Sequence, residues 1–145
     1  MIPKIFQGRM SVPVIAAPMF LVSGPHLVIA ACKAGVAGTF PTLNARPIEV
    51  LDEWLTQINA ELGAAMAADP KAPVAPYGVN LILHHSNTRL AQDFQLVVKH
   101  KVPFVITSQT IPIVALAPLI VVSFGRGLTS VVIIATYLTF FPVTI

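Results

Sequence analysis

The chain has 145 residues, 55% of them hydrophobic and only 10% charged, with a formal net charge of +3. Soluble globular domains are about 45–50% apolar and about 25% charged, so on average the chain could pass for one unusually apolar domain, but this average hides an uneven distribution. The basic residues are scattered, without runs and without interleaved aromatic residues, which argues against a nucleic-acid partner.

The charged residues are confined to the first part of the chain. All six acidic residues and eight of the nine basic ones lie within residues 4–101, whereas residues 111–145 carry a single charge, Arg126. This uneven distribution predicts two unlike parts joined near Ser108, a soluble segment followed by a hydrophobic one.

The first part carries no sign of export. Lys4 and Arg9 interrupt the apolar run that a secretory signal would need, so we expect a cytoplasmic location for residues 1–108. The lone cysteine, Cys32, has no partner for an internal disulfide and is interpreted as a structural residue.

Strand-like and helix-like patterns alternate along the first part. Residues 13–17 form a short apolar run that predicts a first strand, and Pro25 and Gly35 are typical of the start and end of a following helix. Residues 36–40 predict a second strand, and 47–66 a longer helix. The apolar residues of that helix recur at helical spacing and need a covering surface: Ile48, Leu51, Leu55, Ile58 and Leu62.

The alternation continues as far as residue 108. Residues 77–83 predict a third strand, Ser86 or Asn87 can cap a third helix, and residues 104–107 predict a fourth strand. Near-continuous apolar strands joined by helices are typical of a parallel sheet covered by helices. The first part is therefore predicted to be an α/β unit.

Two α/β architectures fit this alternation. A doubly wound dinucleotide-binding sheet would place Gly-x-Gly-x-x-Gly after the first strand, and residues 17–24 lack that turn. In an eightfold barrel the ligand groups gather at the carboxyl ends of the strands, where polar or unusual residues fall in this sequence. They are Pro18, Met19, Thr42, Asn44, Asn80, Thr107 and Ser108. This placement favours the opening half of a (β/α)8, or TIM-type, barrel.

Several motifs of the first part occur together. They are Val-Ile-Ala-Ala-Pro-Met at 14–19, Ser-Gly-Pro at 23–25, Lys-Ala-Gly-Val-Ala-Gly at 33–38, Tyr-Gly-Val-Asn-Leu at 77–81 and Val-Ile-Thr-Ser at 105–108. In this order they resemble the opening of nitronate monooxygenases, formerly called 2-nitropropane dioxygenases. The resemblance implies an FMN-dependent barrel that oxidises small-molecule alkyl nitronates with dioxygen.

The resemblance also implies a set of cofactor-binding residues, namely Ala17, Pro18, Met19 and Asn80. Backbone polar groups beside a soft thioether suit the edge of a flavin ring, and the Asn80 amide offers both a donor and an acceptor. The alternative reading is structural. Pro18 would end a strand, Met19 would fill the core and Asn80 would hold a loop.

The catalytic residues are not identified by the sequence. The resemblance places the catalytic histidine and the glycine-rich phosphate loops in later strand and helix units, so we expect this chain to be inactive alone. His84 and His85 follow the third strand. In an extended chain, however, adjacent side chains point to opposite faces, and no Asp, Glu or Cys is near in sequence to complete a metal site. We interpret them as solvated loop residues and predict no metal site.

The second part carries motifs of a different kind. Gln-Thr-Ile-Pro-Ile-Val-Ala-Leu-Ala-Pro-Leu at 109–119, Phe-Gly-Arg-Gly-Leu at 124–128 and Phe-Phe-Pro-Val at 140–143 resemble an inner-membrane permease subunit of ABC importers, closest to the nitrate, sulfonate and taurine group. Residues 102–124 and 128–145 are uncharged over 23 and 18 residues, against the ~20 needed to cross a bilayer. The two resemblances change over between Ser108 and Gln109, so we predict an apolar, transmembrane-like helical tail at 109–145 that gives membrane association.

Three hypotheses follow for the function. The first is a truncated FMN-dependent nitronate monooxygenase, and the second is a membrane component related to importer permeases. The third is a chimeric product of two reading frames with no evolved function. Flavin retention would favour the first, and tight membrane association without flavin would favour the second.

Overall fold

The computed structural model describes residues 3–108. The chain divides into two compact units, Met1–Ser108 and Gln109–Ile145, and all the described residues belong to the first. Its helices are α1 (Pro25–Lys33), α2 (Ile48–Ala68) and α3 (Leu90–Lys99), and its strands are β1 (Thr39–Pro41), β2 (Gly78–Ile82) and β3 (Phe104–Ser108). Two short 3-10 turns lie at Lys4–Phe6 and Thr42–Asn44.

The three strands form a parallel sheet in the order β1-β2-β3. Thr39 pairs with Gly78 at one end of the β1 and β2 ladder, and Ile82 pairs with Ser108 at the far end of the β2 and β3 ladder. Because the strands are parallel, their carboxyl ends meet at one edge of the sheet. We call this the carboxyl edge, and the opposite one the amino edge.

The helices form where the sequence predicts them. Pro25 is the first residue of α1, and Gly35, two residues after the helix, has a φ of +79° where a Cβ would clash with Ser11. The apolar face of α2 is buried over Leu51, Leu55, Ile58 and Leu62 as expected. The core lies between these helices and the sheet and includes Val28, Phe40, Leu51, Leu55, Ile58, Val79 and Val97.

The predicted half barrel is wrong. The sheet of the described residues has three strands, because residues 13–17 form only an isolated bridge between Ile15 and Ala37. Two backbone hydrogen bonds hold that bridge, from Ala16 N–H to the Ala37 carbonyl and from Ala37 N–H to the Val14 carbonyl. Proline has no N–H to donate, so Pro13 and Pro18 limit the ladder at both ends. The result is a small α/β unit rather than part of a TIM-type barrel.

One further expectation changed, and another is not tested by the described residues. Neither Ser86 nor Asn87 caps α3 directly, because the residue before the helix is Arg89, although Asn87 Oδ1 accepts a hydrogen bond from Arg89 N–H at 3.2 Å. The predicted transmembrane-like tail at 109–145 lies outside the described residues. Among the helices of residues 3–108, none has the length and apolar character required to cross a bilayer.

Candidate ligand-binding site at the carboxyl edge

Two buried side-chain oxygens at the carboxyl edge, one on each of two neighbouring chain segments, have no hydrogen-bond partner within residues 3–108. Asn80 pairs with Pro41 in the β1 and β2 ladder, and Thr42 follows Pro41 directly. Neither Asn80 Oδ1 nor Thr42 Oγ1 is hydrogen-bonded within residues 3–108. An unsatisfied buried polar group costs about 1–3 kcal/mol, so a bound molecule that donates hydrogen bonds here would recover that cost.

A buried ion pair fixes the loop beside these oxygens. Arg89 donates from Nη2 to Asp93 Oδ1 at 2.9 Å and from Nη1 to the Ala45 carbonyl at 2.8 Å. Asp93 is fully buried, and its second oxygen, Oδ2, has no partner within the described part of the chain. The arginine therefore ties the start of α3 to the loop after β1.

An exposed apolar loop adjoins the same edge. Its backbone is held by Asn44, whose Nδ2 donates to the carbonyls of Met19 at 3.0 Å and Ser23 at 2.8 Å. Asn44 Oδ1 accepts the N–H of Leu21 at 3.2 Å. Leu21 has a φ of +62°, a left-handed conformation that costs a non-glycine residue about 1–2 kcal/mol. A single asparagine thus holds the loop in a strained form.

The predicted flavin-binding residues all lie on or near this edge. Ala17 and Met19 are exposed, Pro18 is half-buried and Asn80 is buried. The backbone of Met19 is already engaged, since its N–H donates to Ser23 Oγ at 2.9 Å and its carbonyl accepts from Ser23 and Asn44. Only its thioether is therefore free for a ligand. The exposure of Met19 also argues against a core-filling role, and a flavin-binding role for the four residues stays a prediction.

Sequence reasoning missed the residues that build the edge. The strand-end pattern points to Thr42 and Asn44 without indicating a role for them, and it does not include Arg89 or Asp93. Opposite charges four residues apart at the start of a predicted helix are a signal that could have found the ion pair. The unpartnered oxygen of Asn80, in contrast, is visible only in three dimensions.

An apolar groove lies on the other face of the sheet. It has a volume of about 510 Å³ and is lined by Leu81, Leu83, Leu90, Ala91, Phe94, Val105 and Thr107. Side chains alternate along a strand, so Leu81 and Asn80 point to opposite faces of β2. The groove and the unpartnered oxygen of Asn80 are therefore separate features.

The remaining candidates show no site chemistry. The rings of His84 and His85 lie 4.0 Å apart, and His84 Nδ1 accepts the Ser86 N–H at 3.2 Å. No group of three potential metal-ligating residues occurs within residues 3–108. Cys32 is fully buried, its sulfur accepts the Gly38 N–H at 3.3 Å, and burial raises the pKa of its thiol. These contacts fit the structural reading of Cys32.

No protein-family model matches the chain. A 43-residue stretch, 30% of the chain, is 54% identical to the riboflavin transport system permease protein RibX of Chloroflexus aurantiacus. A stretch of the same length is 49% identical to the formylaminopyrimidine transport permease protein ThiX of Halalkalibacterium halodurans. The match covers 16% and 17% of these relatives, so the chain spans about a sixth of their length.

These comparisons bear on one of the two resemblances. Similarity to transport permeases over 30% of the chain confirms the permease resemblance at that coarser level. Neither relative is named as an oxidoreductase, and the resemblance of residues 1–108 to nitronate monooxygenases stays a prediction.

Proposed function

We propose that this chain is a membrane-associated component related to importer permeases, with residues 109–145 as the part that enters the bilayer. The observation that carries the proposal is the 43-residue similarity to two transport permeases, at 54% and 49% identity. Composition supports it, because Arg126 is the single charge in residues 109–145 and charged residues are costly inside a bilayer. The motifs at 109–119, 124–128 and 140–143 support an importer of the ABC type.

The cargo of such a permease would be a small organic molecule. The two relatives are named for riboflavin and for formylaminopyrimidine transport. For the present chain we propose only that the cargo is a small organic molecule, because the match covers about a sixth of each relative.

Alkaline carbonate extraction of membranes that contain the full chain tests the proposal. We expect the wild-type chain to stay in the pellet and the double variant Ile120→Lys, Ile133→Lys to move to the supernatant. Each lysine at a bilayer centre costs about 2.5–3.5 kcal/mol. The control places the same charges on exposed apolar positions of α3, Phe94→Lys and Val98→Lys, and should stay in the pellet. A soluble, monodisperse wild-type chain would overturn the proposal.

A second candidate function is FMN binding at the carboxyl edge, in support of nitronate oxidation. It is favoured by Asn80 Oδ1 and Thr42 Oγ1, two buried oxygens without partners in residues 3–108. A flavin ring carries N–H and carbonyl groups at its edge that would meet these oxygens and the Asn80 amide. Bound FMN would supply the redox chemistry, with an alkyl nitronate and dioxygen as reactants.

Titration of the full chain with FMN, followed by flavin fluorescence, tests this candidate. We expect Asn80→Leu to weaken binding by about tenfold, because one buried hydrogen bond is lost. The matched control, Gln95→Leu, makes the same change at an exposed position of α3 and should bind like the wild type. Equal affinity in all three proteins, or none, would exclude an FMN site at Asn80.

A further inference from the structure

The apolar loop, residues 19–22, is the most exposed apolar segment of the described chain. Phe20, Leu21 and Val22 are 59%, 79% and 65% exposed, and Met19 is 44% exposed. Scattered exposed apolar side chains are ordinary, but four in succession form a continuous patch. The patch lies on a loop rather than on a flexible end of the chain.

The loop is held in this exposed form by specific contacts. Asn44 bonds three backbone groups, those of Met19, Leu21 and Ser23, and the Ser23 hydroxyl accepts the N–H of Met19. Leu21 keeps a left-handed backbone with its side chain pointing into solvent. Strain of this kind persists where the surrounding structure enforces it, and it clusters at binding surfaces.

We propose that the apolar loop inserts its side chains into the interfacial region of a phospholipid bilayer. Asn44 attaches the loop to the carboxyl edge, and Ser108, where β3 ends, lies at that same edge, with β2 between β1 and β3. The sequence after Ser108 is uncharged as far as Gly125. If that sequence enters a bilayer, as the proposed function holds, the chain leaves this unit for the bilayer at the carboxyl edge, the edge that carries the apolar loop.

The neighbouring charge fits this partner. The guanidinium of Arg46 lies 5.8 Å from the centre of the Phe20 ring. An aromatic ring with a cation beside it is suited to the boundary between acyl chains and phosphates, because the ring enters the apolar layer and the cation stays with the headgroups.

Site-specific fluorescence on the full chain tests the contact. A cysteine is introduced as Leu21→Cys, labelled with an environment-sensitive NBD dye and mixed with vesicles of phosphatidylcholine and phosphatidylglycerol. Cys32 is fully buried, so the parent chain serves as the labelling blank. We expect NBD emission to shift to shorter wavelength and to be quenched when the lipids carry bromine on their acyl chains.

Two methionines provide matched positions on opposite edges. Met19 belongs to the loop and Met66 lies in the last turn of α2 at the amino edge, and their exposures of 44% and 42% are nearly equal. Met19→Cys should respond like the probe at 21, whereas Met66→Cys should keep the emission of a dye in water. Equal responses at 19, 21 and 66 would overturn the proposal. A shift at 21 that needs no vesicles and grows with protein concentration would also overturn it, in favour of self-association.

A probe introduced as Ile134→Cys separates this proposal from the function on which it rests. If the dye at 134 reports lipid and the dye at 21 reports water, the loop contact is wrong and the membrane function stands. If the dye at 134 reports water, the membrane function fails. A lipid response at 21 would in that case still support the loop as a separate contact.

Discussion

The two edges of the sheet differ in how completely they are closed. At the amino edge, the Phe6 ring packs edge-on against Phe104 at 5.1 Å, and Arg9 Nε donates to the Val74 carbonyl at 3.2 Å. At the carboxyl edge, Asn80 and Thr42 have buried oxygens without partners in residues 3–108, and the apolar loop faces solvent. The groups named at the amino edge are packed and hydrogen-bonded within the chain itself. At the carboxyl edge, polar and apolar groups are available for contact with another molecule.

This difference suggests a division of roles within one small unit, with the amino edge serving stability and the carboxyl edge serving binding. In parallel α/β sheets, ligands bind outside the carboxyl ends of the strands, because loops there are free to vary while the opposite edge holds the fold. The amino edge should therefore respond to mutation mainly through stability, and the carboxyl edge mainly through binding. The predictions below test where this division holds.

The largest expected effect is an exception to this division, because it is a loss of stability caused by a substitution at the carboxyl edge. We expect Asp93→Ala to reduce the free energy of unfolding by about 3–5 kcal/mol, since it leaves the Arg89 guanidinium without its buried partner. Denaturant unfolding in mild detergent measures it. The control, Glu61→Ala, removes an exposed partner of Lys33 and should be nearly neutral. Similar losses in both variants would show that burial of the pair is not what matters.

The next prediction tests how tightly the amino edge is packed. Gly78→Ala places a Cβ against the Phe104 ring, closer than van der Waals contact allows, so we expect it to reduce stability by about 1–3 kcal/mol through overpacking. Gly63→Ala makes the same change in α2, where a Cβ meets no atom within 4 Å, and should stabilise by about 0.5–1 kcal/mol. Opposite signs in denaturant unfolding check the prediction, and a neutral Gly78→Ala would contradict the tight packing of this edge.

The sequence predicted local elements better than their assembly. The helices and the strands β1 to β3 follow from apolar periodicity and from Pro25 and Gly35, which act over a few residues. The half barrel failed because one apolar run, residues 13–17, lies between two prolines and makes a single bridge instead of a strand. Hydrophobicity alone does not distinguish a strand of the sheet from an isolated bridge.

The candidate site was predictable only in position. The strand-end rule led to Asn80, Thr42 and Asn44, and all three lie at the carboxyl edge. Their individual roles depend on contacts between residues distant in sequence, such as the bond from Asn44 to Met19 over 25 positions. Such contacts leave no periodic signal in one sequence, so the clamp on the loop and the ion pair of Arg89 needed the structure.

A smaller effect tests the clamp on the apolar loop. We expect Asn44→Ala to reduce stability by about 1–2 kcal/mol, because the carbonyls and the N–H that it bonds are partly solvated. The amide of Leu21 should lose protection in hydrogen exchange, whereas the amide of Met19, which is bonded to Ser23, should keep it. Loss of protection at both amides would mean that the whole loop unfolds and that Asn44 is not a local clamp.

The smallest effect concerns Asp52, an exposed carboxylate that contrasts with buried Asp93. Hydrogen bonds from Lys99 at 2.7 Å and then from His100 at 2.6 Å hold the pKa of Asp52 below its ordinary value. A lowered folded pKa stabilises the fold above the ordinary aspartate pKa of about 4, and this contribution is lost as pH falls through the folded value. Asp52→Asn should therefore flatten the decline of the melting temperature below about pH 4.

The matched control for this pH profile is Glu53→Gln, on the same helix, since Glu53 makes no ion pair within residues 3–108. Its profile should follow the wild type in shape. Because Asp52 joins α2 to the end of α3, its loss should leave FMN titration and the dye response at Leu21 unchanged. A change in either readout would mean that the contact between α2 and α3 influences the carboxyl edge, and stability and binding would then not be separate in this unit.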